Sequence, residues 1–185
     1  LMGCNLREAD LRRADLNGGV DLTGADLSLT NLSRAEFVGA DLTNANLTYS
    51  DLSRACLNKA RLIEVRLVDA NLTEANLTET NLDGSILGNT IATQINLSQA
   101  YGLESITHLS PSNLSTNTIQ LSKGELPEVF LRGCGLSDWE VTSAKLYKPD
   151  LSNEEINSII YKIFDLRAQQ SIQISPLFIS YGHID

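Results

Sequence analysis

The chain repeats itself every five residues from Leu1 to Gly102. The pentads "READL", "RRADL", "TGADL", "VGADL", "TNANL", "VDANL" and "TEANL" all end in leucine, preceded by Asp or Asn and usually by Ala before that. Of twenty-one central positions, eighteen hold Leu and the others hold Phe37, Ala92 and Gly102. One extra residue beside Gly18 and Gly19 lengthens the step from Leu16 to Leu22 to six. Two positions before each centre the residue is small: Ala at 9, 14, 25, 35, 40, 45, 55, 60, 70, 75 and 100, with Ser, Thr, Val, Cys or Ile elsewhere. A period of five fits neither the 3.6-residue turn of a helix nor the two-residue alternation of a strand. The chain must therefore turn regularly.

If each pentad makes one short side and one corner, four pentads close a square coil with the central Leu and the small residue inside and the other three positions facing water. Coils stacked at the strand spacing of about 4.8 Å give a β-solenoid of about five coils, roughly 25 Å long. Burying a Leu contributes about 2 kcal/mol, whereas ordering each backbone residue costs about 1–2 kcal/mol. Main-chain hydrogen bonds between coils must make up the difference, so neighbouring coils need one another.

The pattern A-[DN]-L-x-x over residues 1–102 resembles the pentapeptide repeat family, and the resemblance implies a right-handed quadrilateral β-helix. Departures concentrate at its end, where "GSILGNTIATQINLSQAYG" keeps the spacing and loses Asp or Asn at several places, as solenoid ends do.

Composition narrows the function. Fourteen Lys and Arg against twenty-three Asp and Glu leave a net charge of −9 and a pI near 4.7. That balance argues against nucleic acid and anionic membrane surfaces as partners. No apolar run approaches the roughly 18 residues that span a bilayer, and no basic-then-apolar leader opens the chain, so a cytoplasmic location is expected. Cys4, Cys56 and Cys134 lie far apart without a CxxC pair and read as reduced thiols. His108 and His183 lack companions for a metal site, Ser180 lacks the glycines of a nucleophile elbow, and no glycine-rich phosphate loop is present. A non-enzymatic chain without cofactor or metal is expected.

Stacking every fourth pentad turns the outward positions into columns. One reads Arg13, Arg34, Arg54, Glu74, beside Asp10, Asn31, Asp51 and Asn71. Three arginines about 5 Å apart can grip an anionic partner or pair with the adjacent carboxylates. Another column places Leu29 above Tyr49 with Val68 close by, a small apolar docking patch. These six residues, Arg13, Arg34, Arg54, Leu29, Tyr49 and Val68, form the candidate interaction surface.

After Gly102 the repeat stops. Residues 103–124, rich in Ser, Thr and Asn, are expected to connect the solenoid to a mostly helical extension at 125–170. There a short helix from Leu126 is broken by Gly133-Cys134-Gly135, and Ser137 caps a second helix carrying Trp139, expected to cover the open solenoid end. Ser152 and Glu155 form a capping box ahead of Ile156, Ile159, Ile160, Ile163 and Phe164 on one face. Residues 171–185 read as a strand, with an unbroken apolar run at Leu177, Phe178 and Ile179 of the kind buried in parallel sheets. A lone strand has no sheet, so the chain is expected to be a piece of a longer protein.

"FISYGH" resembles the opening strand of TIR domains, which commonly reads F-I-S-Y-S-H followed by an acidic residue. Phe178, Ile179, Ser180, Tyr181, His183 and Asp185 match, and Gly182 departs. The resemblance implies a larger signalling protein whose effector self-assembles and, in many relatives, cleaves NAD with a glutamate lying far downstream, which has no counterpart here. The expected function is a non-catalytic scaffold or sensor that binds a protein partner or associates with itself. Two alternatives are a DNA-mimicking inhibitor of gyrase-type topoisomerases and an NAD-cleaving enzyme in a longer parent chain only. For the mimic, thirteen acids against eight bases in residues 1–102 make a short rod of mixed sign.

Overall fold

The structure, a computed structural model, describes residues 1–174, with side chains through residue 170. Its architecture follows from where the five amides of one pentad go. Around Leu52, the Asp51 amide donates to the Thr30 carbonyl (3.0 Å) in one neighbouring coil. The Leu52 and Arg54 amides donate to Asn71 and Thr73 (2.8 Å each) in the other. The Ala55 amide closes the corner onto Leu52 (3.0 Å), and the Ser53 amide is taken by the Asp51 side chain (3.0 Å). No amide of this pentad is left for water, which is what a buried backbone requires.

The same pattern repeats around four ladders of parallel bridges, one per side. One runs Asn5, Asp26, Asn46, Arg66, Ile86 and another Asp10, Asn31, Asp51, Asn71, Ile91. A third runs Asp15, Glu36, Cys56, Asn76 and the fourth Asp21, Asp41, Arg61, Asn81, Tyr101. Partners are twenty residues apart beyond the slip and twenty-one across it, so four pentads close one coil. The extra residue is absorbed by Gly18 (φ 77°) and Gly19 (φ 73°), two consecutive left-handed residues that only glycine adopts cheaply.

Inside, Leu22, Leu27, Leu32, Phe37, Leu42 and Leu47 are fully buried beside Ala25, Ala35 and Ala40. Buried Thr30, Thr80 and Thr90 satisfy their hydroxyls on the carbonyls of Leu6, Leu57 and Leu67. The residue before each Leu does not simply face water, as its polarity suggests. Its Asp or Asn carbonyl-type oxygen accepts the amide two residues on, a local Asx turn, at Asp21, Asp26, Asn31, Asp41 and Asn46 among others. The Thr23 amide and hydroxyl hold the Asp21 carboxyl, and the Ser28 hydroxyl and amide the Asp26 carboxyl, below the ordinary carboxylate range. Where Glu36 takes this place, the Val38 amide instead uses the Asn17 side chain of the neighbouring coil (2.9 Å).

The ladder outlasts the sequence repeat. Strand β1 (Ile86–Leu87) pairs with β3 (Thr107–His108), and β2 (Ile91–Ala92) with β4 (Asn113–Leu114). Coil pairing therefore passes the expected boundary at Gly102, because main-chain bonds ask nothing of side-chain identity. Helix α1 (Thr116–Leu121) falls within the stretch expected to be a connector, with Ser115 Oγ accepting the Thr118 amide (3.1 Å) at its start. It ends the stack by substituting side chains for a further coil: Thr118 Oγ1 donates to the Ala92 carbonyl (2.9 Å), and Ser122 Oγ accepts the Leu97 amide (2.9 Å).

Helices α2 (Glu128–Gly133), α3 (Asp138–Ala144) and α4 (Asn153–Ile174) follow. The capping boxes at Ser137 with Glu140 and at Ser152 with Glu155 both form. Phe130 of α2, almost fully buried, meets Leu97, Leu103 and Ile106 where the solenoid interior opens. That is the covering role expected of Trp139, which instead lies beside α4, its ring 4.9 Å from the Arg167 guanidinium carbon. Trp139 belongs to α3, which packs on α4, and it shares a surface groove with Leu166 and Gln170 of that helix, while Val141 and Ala144 of α3 join the core. Helix α4 runs to Ile174, four residues into the span expected to be a strand; the rest of that span, 175–185, lies outside the described residues.

Asn71 shows what an Asx position contributes, since it accepts from the Thr73 amide (3.0 Å) and hydroxyl (2.6 Å) and donates to Asp51 (3.2 Å). Asn71→Ala is expected to lower unfolding free energy by about 1–2 kcal/mol in chemical denaturation. His108 sets a second expectation. Both its ring nitrogens are buried without a hydrogen-bond partner among the described residues, its ring lies 5.6 Å from Phe130, and a Cβ on Gly133 would overlap it. Burial pushes its pKa below the ordinary 6.5, so the folded chain favours the neutral ring. Stability is then complete above about pH 6.5 and falls as pH drops below it. Denaturation midpoints measured from pH 7.5 to 5 should show that fall, and His108→Gln should flatten it.

Candidate functional site

Each corner uses a four-residue turn whose third residue has positive φ, and that residue points its side chain outward from the solenoid edge. Glycine fills some of these places, such as Gly24 and Gly39, but most hold larger residues at a backbone cost of about 1–2 kcal/mol each. Four rows of corner residues result. One contains Glu8, Leu29, Tyr49, Asp69 and Asn89; the next along the chain contains Arg13, Arg34, Arg54, Glu74 and Gln94. The two rows bound the side that carries the ladder Asp10, Asn31, Asp51 and Asn71.

The two patches read from sequence thus lie at opposite edges of one side. Leu29 and Tyr49 are 41% and 60% exposed, enough to be contacted from outside. Val68 is half-buried and sits one residue ahead of the row, its carbonyl accepting the Tyr49 amide (3.0 Å). Below Tyr49 the row turns polar at Asp69.

At the arginine edge the four basic groups divide into two kinds. Arg54 makes a fork to Glu74, Nε to Oε2 at 2.9 Å and an Nη to Oε1 at 3.1 Å. Arg12 makes another to Asp10, with its closest contact at 2.7 Å. These bonds hold Asp10 and Glu74 below the ordinary carboxylate range, and the charge of Arg34 adds to the effect on Glu74. The side chains of Arg13 and Arg34 form no hydrogen bond or ion pair among the described residues, and both are exposed. Asp10 and Glu74 are the acids lining the groove at this edge, so four guanidinium groups face two carboxylates.

Sequence reading missed Arg12 and the hydroxyl row Ser33, Ser53 and Thr73 that lines the same groove. The signal was there, a Ser or Thr one residue after every second-corner Leu beyond the first coil, once coils are aligned at twenty residues. Ser33 and Thr73 spend their hydroxyl protons on Asn31 and Asn71. The Ser53 hydroxyl has no partner among the described residues.

Elsewhere the described residues offer no group of His, Cys, Asp and Glu that could hold a metal, and no helix among them is long and apolar enough to cross a membrane. All three cysteines are free; burial pushes the Cys134 thiol up to about 12, which keeps it unreactive.

Comparison with known proteins agrees with this architecture. The pentapeptide repeat family model, "Pentapeptide repeats (8 copies)", matches segments that together run from residue 1 to 99, more than half the chain. The chain belongs to the pentapeptide repeat family, whose members form right-handed quadrilateral β-helices and are generally non-catalytic interaction modules. Among solved structures, the pentapeptide repeat protein Rfr23 from the cyanobacterium Cyanothece 51142 is 30% identical with a TM-score of 0.52, over 62% of this chain and 86% of that one. HetL from Nostoc sp. strain PCC 7120, a pentapeptide repeat protein involved in heterocyst differentiation regulation, is 25% identical with a TM-score of 0.43, over 61% and 62%. QnrB1, a plasmid-mediated fluoroquinolone resistance protein, is 17% identical with a TM-score of 0.33, over 73% and 85%. A comparison with curated proteins found no match.

Proposed function

We propose that the chain is a docking module that binds a protein partner, or a second copy of itself, through the side between the two corner rows. The observation that carries this reading is the presence on one side of exposed Leu29 and Tyr49 and of two guanidinium groups, Arg13 and Arg34, that have no hydrogen-bond or ion-pair partner among the described residues. Aromatic and arginine side chains are the ones that anchor protein interfaces. Backbone bonding supports it too, because the fold holds every coil without help from these side chains, leaving them free to serve recognition.

The wider reading is a rigid scaffold or sensor in a longer, cytoplasmic, TIR-containing signalling protein that works by assembly, any NAD cleavage belonging to that parent. Its support is the resemblance of Phe178 to Asp185 to a TIR strand. For mimicry of DNA toward a topoisomerase, a long uniformly negative surface is needed, and the groove at the arginine edge carries the opposite sign.

Affinity capture from cells that express the protein, read beside light scattering of the purified chain, tests the docking side. Tyr49→Ala and Arg34→Glu should each reduce the captured partner, or the dimer, by about tenfold or more while leaving the unfolding midpoint in place. Unchanged capture by both variants would move the interface elsewhere. A chain that stays monomeric and retains no partner would overturn the docking reading itself.

A further inference from the structure

The geometry points to a phosphate-binding site at the second corner row, in which Arg13, Arg34 and the Ser53 hydroxyl grip a phosphorylated side chain of the partner. This rests on the docking reading and specifies what that side recognises.

Charge is the first observation. The chain carries −9 overall, yet this groove holds two guanidinium groups more than carboxylates, and the surplus is Arg13 and Arg34. They are consecutive members of one row, a coil spacing of about 4.8 Å apart, so their like charges repel. A further arginine, Arg54, continues the row, and Glu74 neutralises it from the next coil. No carboxylate among the described residues pairs with the side chains of the upper two, although the charge of Glu74 reaches Arg34. A stack of like charges that the fold does not need and does not pair is a local conflict, and such conflicts collect at functional sites.

Ligand chemistry follows from the donors. Two guanidinium groups one coil apart present parallel forks of N–H donors, a match for the three oxygens of one phosphate monoester. That group carries about −1.5 to −2 at neutral pH, close to the surplus of two. Two carboxylates of an extended acidic peptide stand roughly 6.6–6.8 Å apart on one face of a strand, wider than the coil spacing. Ser53 adds a neutral donor beside Arg34, whose own amide donates to the Ser53 carbonyl (2.9 Å). Ser33 and Thr73 cannot help in this way, since their protons are already committed to asparagine side chains.

The test is a titration of the whole chain, labelled with nitrogen-15, followed at the arginine Nε–H signals. Three probes are used at low salt: a peptide carrying phosphoserine, the same peptide unphosphorylated, and adenosine monophosphate. Saturable shifts of the Arg13 and Arg34 signals with the phosphoserine peptide, at least about tenfold weaker in Arg13→Gln and in Arg34→Gln, are expected. Both variants should unfold at the same midpoint as the parent chain or above it, because a repulsion is removed, and Lys59→Gln at another corner should bind normally. Saturable binding of adenosine monophosphate but not of the peptide would keep the phosphate site and reassign its source to a small ester. Equal shifts from the unphosphorylated peptide, or phosphate binding indifferent to both glutamine variants, would overturn the site. In that case, capture that still depends on Tyr49 and Arg34 would leave the docking reading standing.

Discussion

Every coil of this protein is held by main-chain hydrogen bonds to the coils beside it, and the rest of the structure is arranged so that those bonds can form. Three of the five amides in the Leu52 pentad leave their own coil, a fourth closes the corner, and the fifth goes to an Asp side chain. A central Leu and a small residue set how closely the coils approach, and a positive φ at each corner sets where the chain turns. The Asp or Asn in each pentad is thus part of the backbone's accounting, not of the surface charge alone, which tempers any reading of the acidic composition as a recognition signal.

A solenoid built this way has two open edges, and the C-terminal one is closed by side chains that imitate a coil. Thr118 of α1 and Ser122 at its C-terminal cap take the roles of a carbonyl's and an amide's missing partners, and Phe130 of α2 lines the end of the leucine column. Burying an unpaired strand edge in this way removes a template for unwanted pairing. His108, packed against Gly133 with no hydrogen-bond partner among the described residues, is the point where this covering is least tolerant of charge.

How much could be read from the residues alone follows the same division. The leucine period, the inward alanines, the slip at Gly18 and Gly19, the cap at Ser137 and the capping box at Ser152 were legible, since each is a demand on side-chain type. The pairing of Thr107 and Asn113 beyond Gly102 was not, because backbone bonding leaves no mark in the sequence. Trp139 is expected to cover the end because an open solenoid end needs covering, but its ring lies against α4 while Phe130 lines the solenoid end. Of the span 171–185 read as a strand, residues 171–174 belong to α4, which runs to Ile174, and the remainder lies outside the described residues. Leu29 and Tyr49 stand in one corner row and Arg13, Arg34 and Arg54 in the next, with Val68 one residue ahead of the first. That both rows edge one side, and that Arg54 is paired while Arg13 and Arg34 are not, depended on side-chain geometry.

Function is then written on whatever the coil bonding leaves free. Corner residues are held by their backbones and released at their side chains, so a row of arginines or an exposed Leu29 and Tyr49 can be displayed rigidly, with little ordering cost on binding. Native-state hydrogen exchange tests the underlying claim most directly. If the intercoil ladder is the main support, the Leu52, Arg54 and Leu62 amides should exchange together and at least about a hundredfold more slowly than the Ser53 amide, which only a surface Asx turn protects. Equal exchange at Leu52 and Ser53 would contradict it, and would place the stability of the rod in its leucine core instead.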